Sequence, residues 1–570
     1  MREKQKFSKT RATFLLFLWG LFIIFLHQTT TWPVWATETL SETITAHLRS
    51  GVGSADRKKK FVCQGEIICG ISVIPRFYRQ RDFKPAWISD KEFSSQAKAL
   101  IAAIQVADQE GLNPEDYHLA KIKALLAEAE ERHLKKIPPS AKDMADFDLL
   151  LTDSFLMYSS HLLAGRVNPE TIHTGWFVFT HEVNLVDILQ AALDTNQIRK
   201  TLDKLKPSHP GYTGLGQMLI RYRKIAKNGG WPHLVSGSSL KIGDRGERVE
   251  KLRKRLLFFD DSKSMAEENG QIFDEQLDEV VRGVQEIYGL KSDGIVGPET
   301  RAALNVPAKA RARQIELNME RWRWIPRNLG QRYILVNIAD FKLSLIEHGE
   351  TVMDMRVVVG RTYRRTPVFS SKMKYIVLNP FWNVPMSIAV KDILPKLREN
   401  HNYLSLHNMT VYANWQTGAP SIDPRSIDWS KVNRRGFRYR LVQKPGPQNA
   451  LGRLKFMFPN RFSVYLHDTP GKELFQKNIR SFSSGCIRAE KPVKLAVYLL
   501  KDDPNWTKEK IMAAVDRGKT RSIGISNPLN VHLLYWTAWV DKTGEIHFRD
   551  DIYDRDRPLD KALAERPPRP

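Results

Sequence analysis

Tyr333-Ile-Leu-Val-Asn-Ile-Ala-Asp-Phe-Lys-Leu-Ser-Leu-Ile346 decides the fold of the C-terminal half, because here the apolar period becomes two. Tyr333–Ile338 and Lys342–Ile346 read as successive strands joined through Asp340-Phe341, and Thr351–Gly360 follows a His348-Gly349-Glu350 turn. Lys374–Leu378, Arg453–Phe458 and Phe462–His467 continue the pattern, which predicts a curved or sandwich-like β-rich domain over 327–505. Residues 399–451 hold Trp415, Trp429, several prolines and the basic run Lys431–Arg440. So long an irregular insertion inside a compact domain reads as a lid. The tail, 506–570, carries the alternating stretch Leu533–Val540 and reads as an extension packing on this domain. Its acidic residues in Asp550–Asp556 match no calcium loop and read as a solvated turn.

Working toward the N-terminus, 238–306 combines three signals. A Gly243-Asp-Arg-Gly246 turn precedes a helix with Val249, Leu252 and Leu256 on one face; Asp274 can cap a second helix carrying Leu277, Val281, Val284 and Tyr288, ended by Gly289; and Asp293-Gly-Ile-Val-Gly-Pro-Glu-Thr300 places Pro298 at a third helix start. Residues 41–235 have helical spacing in Ala97–Val106, Lys121–Ala129 and Phe147–Leu163, and read as a scaffold. His161 and His173 have no companions at metal-ligand or triad spacing and read as surface or satisfied core groups. Asp153 and Glu170 read as solvated helix faces.

A chain of 570 residues is too long for one core, so a multidomain α+β protein is expected. Five basic residues in Met1–Arg11 precede the uncharged apolar run Ala12–Leu26, and Val34-Trp35-Ala36 would serve as a cleavage site. Residues 1–36 therefore read as a signal peptide or membrane anchor that delivers the rest to the periplasm or cell envelope. Net charge is +25, and the remainder after 1–36 still carries +21. No nucleic-acid-binding module accompanies that excess, so the expected polyanions are phospholipid heads and an acidic cell wall. Cys63 and Cys69, close in sequence and outside the cytosol, read as a small-loop disulfide, which leaves Cys486 over. None of the fifteen histidines has metal-site spacing, so no metal or other cofactor is expected.

Cys486 stands in Ser481-Phe-Ser-Ser-Gly-Cys-Ile-Arg488, nineteen positions after His467 at the end of a predicted strand. An ordinary thiol is only a few per cent ionised at neutral pH, so a nucleophilic cysteine needs a nearby imidazole. Gly485 permits a tight turn in which successive N–H groups converge on one point and can hold an oxyanion. Asp468 can orient the imidazole through its carboxylate or its backbone carbonyl. The segment from His467 to Ser483-Ser-Gly-Cys-Ile-Arg488 resembles the catalytic motif of L,D-transpeptidases, with Ser484 where the common version has histidine. Residues 238–306 resemble the peptidoglycan-binding domain of the large subgroup that also bears a helical scaffold.

The resemblance implies Cys486 as nucleophile, His467 as base and then acid, Asp468 at the orienting position, and the backbone of Ser484, Gly485 and Cys486 as oxyanion donors. Arg488, Tyr465, Trp382 and Ser483 are the implied substrate contacts. The implied partners are peptidoglycan stem peptides, a donor tetrapeptide and an acceptor amine, with carbapenem-type β-lactams as covalent inhibitors. The implied reaction links the third, diamino-acid residues of two stem peptides through a thioester and releases D-alanine. An L,D-carboxypeptidase using the same site, and a non-catalytic wall-binding protein, stay open at this stage.

Overall fold

The computed structural model describes residues 39–55, 62–89, 92–177, 183–259 and 270–565; the expected leader, 1–36, lies outside them. No helix among the described residues is long and apolar enough to cross a membrane.

The chain is a multidomain α+β protein. Its scaffold packs α1 (Leu40–Ala55), α2 (Ser95–Gln105) and α3 (Leu119–Leu134) around α4 (Ala141–Ala164). Helix α4 is buried on most sides along its middle, polar residues included, and starts where Ser140 accepts a bond from the Asp143 N–H. Asp153, expected on a solvated face, is fully buried in α4. It accepts bonds from the N–H groups of Cys69 and Gly70 and from His118 Nε2, at 3.1, 2.7 and 2.8 Å. A carboxylate satisfied by two amides and an imidazole can stay in a core.

The proposed disulfide is absent. A short hairpin pairs Cys63 with Glu66, so Cys69 lies beyond its end, and both thiols are free. Cys63 is buried against the Asp146 carbonyl, and Cys69 is exposed.

Scaffold packing ends at Leu205, short of the expected 235. The next helix, α5 (Pro210–Lys227), shares its core with the three-helix unit α6 (Glu247–Leu256), α7 (Glu275–Ile287) and α8 (Pro298–Asn305). There Asp274 caps α7 through the Leu277 N–H, as its position predicts. Helix α9 (Ala308–Arg323), which sequence reasoning left unassigned, is buried against all these parts.

The β-domain begins with β1 (Arg332–Asn337), β2 (Lys342–Glu347), β3 (Glu350–Gly360) and β4 (Phe369–Leu378). The insertion follows and is a folded unit. Strands β5 (Trp382–Asn383), β6 (Met409–Tyr412), β7 (Ser421–Ile422) and β8 (Arg440–Gln443) form a sheet in the order β7-β6-β8-β5. It covers a separate core that includes Leu397, Leu404, Val411, Trp429 and Leu441, so the insertion starts near 382 rather than 399.

The main sheet resumes with β9 (Leu454–Met457), β10 (Leu466–His467), β11 (Ser481–Ser483), β12 (Ile487–Ala489) and β13 (Arg521–Leu534). Its order is β11-β3-β12-β10-β9-β4-β13-β1-β2, and β2 also pairs with β3, so the curvature goes as far as closing a ring. The tail is therefore no mere extension, since β13 sits between β4 and β1 within the ring. Leu454, Phe456, Leu466, Ile487 and Val357 fill the interior, which turns their strand neighbours outward. The acidic tail segment is also partly internal: Asp551 accepts from the Tyr535 hydroxyl at 2.5 Å, and Asp556 pairs with Arg321 at 2.6 Å.

Candidate active site

Strand register builds the site. Strands β10 and β12 are parallel, with Leu466 opposite Ile487 and His467 opposite Arg488, and the Ile487 N–H bonds the Tyr465 carbonyl at 3.1 Å. Since Leu466 and Ile487 point inward, Tyr465, His467, Cys486 and Arg488 share the outer face. Antiparallel β9 adds Lys455 opposite His467, its Nζ lying 3.8 Å over the Tyr465 ring.

His467 is buried, and its Nδ1 lies 2.5 Å from the Asp468 carbonyl oxygen. A carbonyl can only accept, so Nδ1 carries the proton and Nε2 keeps a lone pair. Burial, then Arg488, holds the imidazole pKa down to about 3, so the ring is neutral at neutral pH. Asp468 thus orients the imidazole through its backbone. Its carboxylate is engaged elsewhere, by the Arg453 N–H at 2.9 Å and Lys472 Nζ at 2.5 Å. Gly452 (φ +62°) makes room, because a Cβ there would lie 2.4 Å from that carboxylate.

Cys486 is half-buried, and burial raises its thiol above the usual value against the opposing pull of Tyr465, Lys455 and Arg488. Resting thiol and imidazole are therefore a neutral pair rather than an ion pair. Sγ faces the Ser463 carbonyl at 3.9 Å, and no hydrogen bond joins it to the His467 ring among the described residues. The strand pairing sets His467 opposite Arg488, the second residue after the thiol.

The loop before the thiol is held from both sides. Gly485 has φ +114°, which suits glycine alone, and its carbonyl accepts from Thr366 Oγ1 at 3.0 Å. Tyr553 supports Thr366 in turn, its hydroxyl bonding the Gly360 carbonyl at 2.6 Å. The Gly485 N–H donates to Ser483 Oγ at 3.1 Å, so one of the three expected oxyanion donors is engaged. The N–H groups of Ser484 and Cys486 meet no acceptor among the described residues. Ser483 is not at the substrate surface: it is buried, and its hydroxyl donates to the Cys486 carbonyl at 2.5 Å.

Arg488 is mostly enclosed, forms no ion pair among the described residues, and has burial and Arg361 acting against its charge. Its Nε has no hydrogen-bond partner among the described residues. Trp382 lies in the insertion sheet opposite Gln443 and packs against the insertion core.

Sequence reasoning missed Lys455, visible only once β9 is registered against β10, and Arg364. Arg364 bonds Ser484 Oγ at 2.8 Å and pairs with Asp392 of the insertion, tying the nucleophile loop to the inserted unit. Nothing in the local pattern Arg361-Thr-Tyr-Arg-Arg365 distinguishes that arginine from its neighbours.

Residues 331–507 match the family described as "L,D-transpeptidase catalytic domain", 72–219 the "scaffold domain" and 245–304 the "putative peptidoglycan binding domain". Residues 331–507 thus carry a domain of the L,D-transpeptidase catalytic family. A curated relative from Haemophilus influenzae, named "Putative L,D-transpeptidase", is 39% identical over 249 residues, 44% of this chain and 49% of that protein. The match thus spans about half the length of that relative. Two solved L,D-transpeptidases are also similar. The one from Xylanimonas cellulosilytica aligns with 52% of this chain and 98% of its own at 13% identity and TM-score 0.16. The one from Stackebrandtia nassauensis aligns with 53% and 96% at 11% identity and TM-score 0.21.

Proposed function

We propose that this chain acts in the cell envelope, linking the third, diamino-acid residues of two peptidoglycan stem peptides through a thioester on Cys486. The supporting observation is the outer-face constellation of Cys486, Tyr465, His467 and Arg488, with the Asp468 carbonyl leaving the imidazole lone pair on Nε2.

The chemistry follows from a neutral pair. His467 Nε2 takes the thiol proton as Sγ attacks the donor carbonyl, and the N–H groups of Ser484 and Cys486 receive the oxyanion. The C–N bond to D-alanine breaks, and the imidazolium returns its proton to the departing amine. An acceptor amine then adds to the thioester carbonyl, gives a proton to Nε2 and displaces sulfur, which recovers that proton. Bond energy is kept in the thioester, so no nucleotide is required. Arg488 holds a carboxylate of the donor in this reading, and the insertion limits the water that would divert the thioester to hydrolysis.

Purified protein incubated with tetrapeptide muropeptides should give dimers and free D-alanine. Cys486→Ala should give neither while still binding sacculi. Tripeptide as the sole product would identify a carboxypeptidase, and dimer formation by Cys486→Ala would remove the nucleophile from this mechanism. A carbapenem should add one acyl group at Cys486, read by intact mass.

A further inference from the structure

A two-substrate reaction needs a second approach to the thioester, and a groove beside the nucleophile loop supplies one. It encloses about 620 Å³ and is lined by Thr174, Gly175, Tyr363, Arg365, Phe462 and the Ser484–Gly485 turn. None of Tyr465, Lys455, His467 or Arg488 lines it. It adjoins the nucleophile loop through Ser484 and Gly485, and its wall includes Phe462 and Val464, which flank the Ser463 carbonyl that Sγ faces.

Residues 363–365 touch both the groove and the insertion. Tyr363 and Arg365 line the groove, whereas Arg364 between them reaches Ser484 and Asp392 of the insertion. The groove itself opens beside the scaffold residues Thr174 and Gly175.

The scaffold's contribution is a fixed wall. Val368 N–H donates to the Gly175 carbonyl at 2.8 Å, and Phe177 N–H donates to the Val368 carbonyl at 3.1 Å, so Trp176 forms a parallel bridge with Val368 just before β4. Phe177 packs on Phe462 with ring centroids 4.7 Å apart, and the Arg461 guanidinium lies 3.3 Å over the Phe177 ring. Buried Trp176 pins the segment from beneath, stacked on His173 and edge-on to Trp324. Thr174 is left exposed at the groove, with Gly175 at φ +79° turning the chain beside Pro367.

We propose that this groove is the acceptor subsite, and that Thr174 and Gly175 of the scaffold, with Arg365 and Tyr363 of the barrel, receive the acceptor stem peptide. The proposal rests on the transpeptidase reading above and assigns its second substrate. The acceptor amine must reach the thioester carbonyl from beside the nucleophile loop and use the same imidazole that protonated D-alanine. A space of this size suits a peptide branch rather than one amino acid. Arg365, at the groove and free of any ion pair among the described residues, offers a guanidinium to a stem-peptide carboxylate. The helical region is then part of the substrate site, and not only a spacer.

The test uses the full chain with defined donor and acceptor muropeptides. Thr174→Trp should fill the groove and lower the ratio of dimer to tripeptide by about tenfold, with the half-saturating acceptor concentration rising and that of the donor not following it. Arg365→Glu should lower the same ratio without adding bulk, so it keeps the idea testable if the tryptophan variant misfolds. Thermal melting of both variants separates folding from binding. A ratio unchanged in both folded variants overturns the acceptor assignment. Wild-type protein that forms no Cys486 thioester and releases no D-alanine would instead overturn the underlying reading.

Discussion

Asp468 carries two separable jobs in one residue. Its backbone carbonyl holds the His467 tautomer, while its carboxylate ties the Arg453 N–H and Lys472 to the loop. Removing an orienting carboxylate from a serine-protease-type triad lowers turnover by roughly 10⁴-fold. Here the orienting atom survives side-chain substitution, so Asp468→Asn should keep turnover far above that level and lose mainly thermal stability. Steady-state kinetics and a melting curve on the same preparation decide the matter. A triad-like collapse of turnover with unchanged melting would show that the carboxylate, not the carbonyl, orients the ring. Sequence inspection could not choose between the two, because both belong to the same residue adjacent to the histidine. The fate of Ser483 was hidden for a similar reason: a serine two positions before a glycine turn can face substrate or close the turn, and burial alone separates the cases.

At the scale of elements, β13 makes a stronger demand than its place near the end of the chain suggests. It is hydrogen-bonded to β4 on one side and β1 on the other, and it buries Ile523, Leu529, Val531 and Leu533. A chain ending at Asp503 would leave both neighbours with unpaired edges and an opened ring. Such a fragment should be insoluble or lack a cooperative melting transition, although it retains His467 and Cys486. Recovery of a folded, carbapenem-reactive fragment would show that the barrel closes without this strand. The first three strands were legible because each is a short, largely apolar run bounded by a turn. The N-terminal part of β13 was not, because Gly524 and Pro528 interrupt Arg521–Leu529 and the register shifts between Gly524 and Leu529. The inserted unit escaped for another reason. Its core residues, from Leu397 to Leu441, are scattered among prolines and turns with no lasting period, so only tertiary contact reveals that they pack together.

Across the whole molecule, α9 joins parts that the sequence presented as successive domains. Its charged sequence, Ala-Lys-Ala-Arg-Ala-Arg-Gln-Ile-Glu-Leu-Asn-Met-Glu-Arg-Trp-Arg323, invites reading as a solvated helix. Yet Asn318, Glu320, Arg321 and Arg323 are all buried. Asn318 bonds Thr537 and Arg321 pairs with Asp556 in the C-terminal region, while Glu320 accepts the Val167 N–H of the scaffold at 2.8 Å. Arg323 pairs with Glu320 at 2.8 Å and donates to the Tyr212 hydroxyl of α5 and the Glu110 carbonyl. Cutting one partner from a buried pair leaves the other charge uncompensated, at a cost of about 3–5 kcal/mol. Arg323→Ala should therefore lower the melting temperature strongly and expose the 164–170 segment to limited proteolysis. Arg323→Ala,Glu320→Gln should recover part of the loss, because the stranded carboxylate is gone. If the acceptor wall depends on the scaffold's seating, Arg323→Ala should also reduce the ratio of dimer to tripeptide. A single substitution as harmless as one on an exposed helix would mean that these domains are tethered rather than fused around α9.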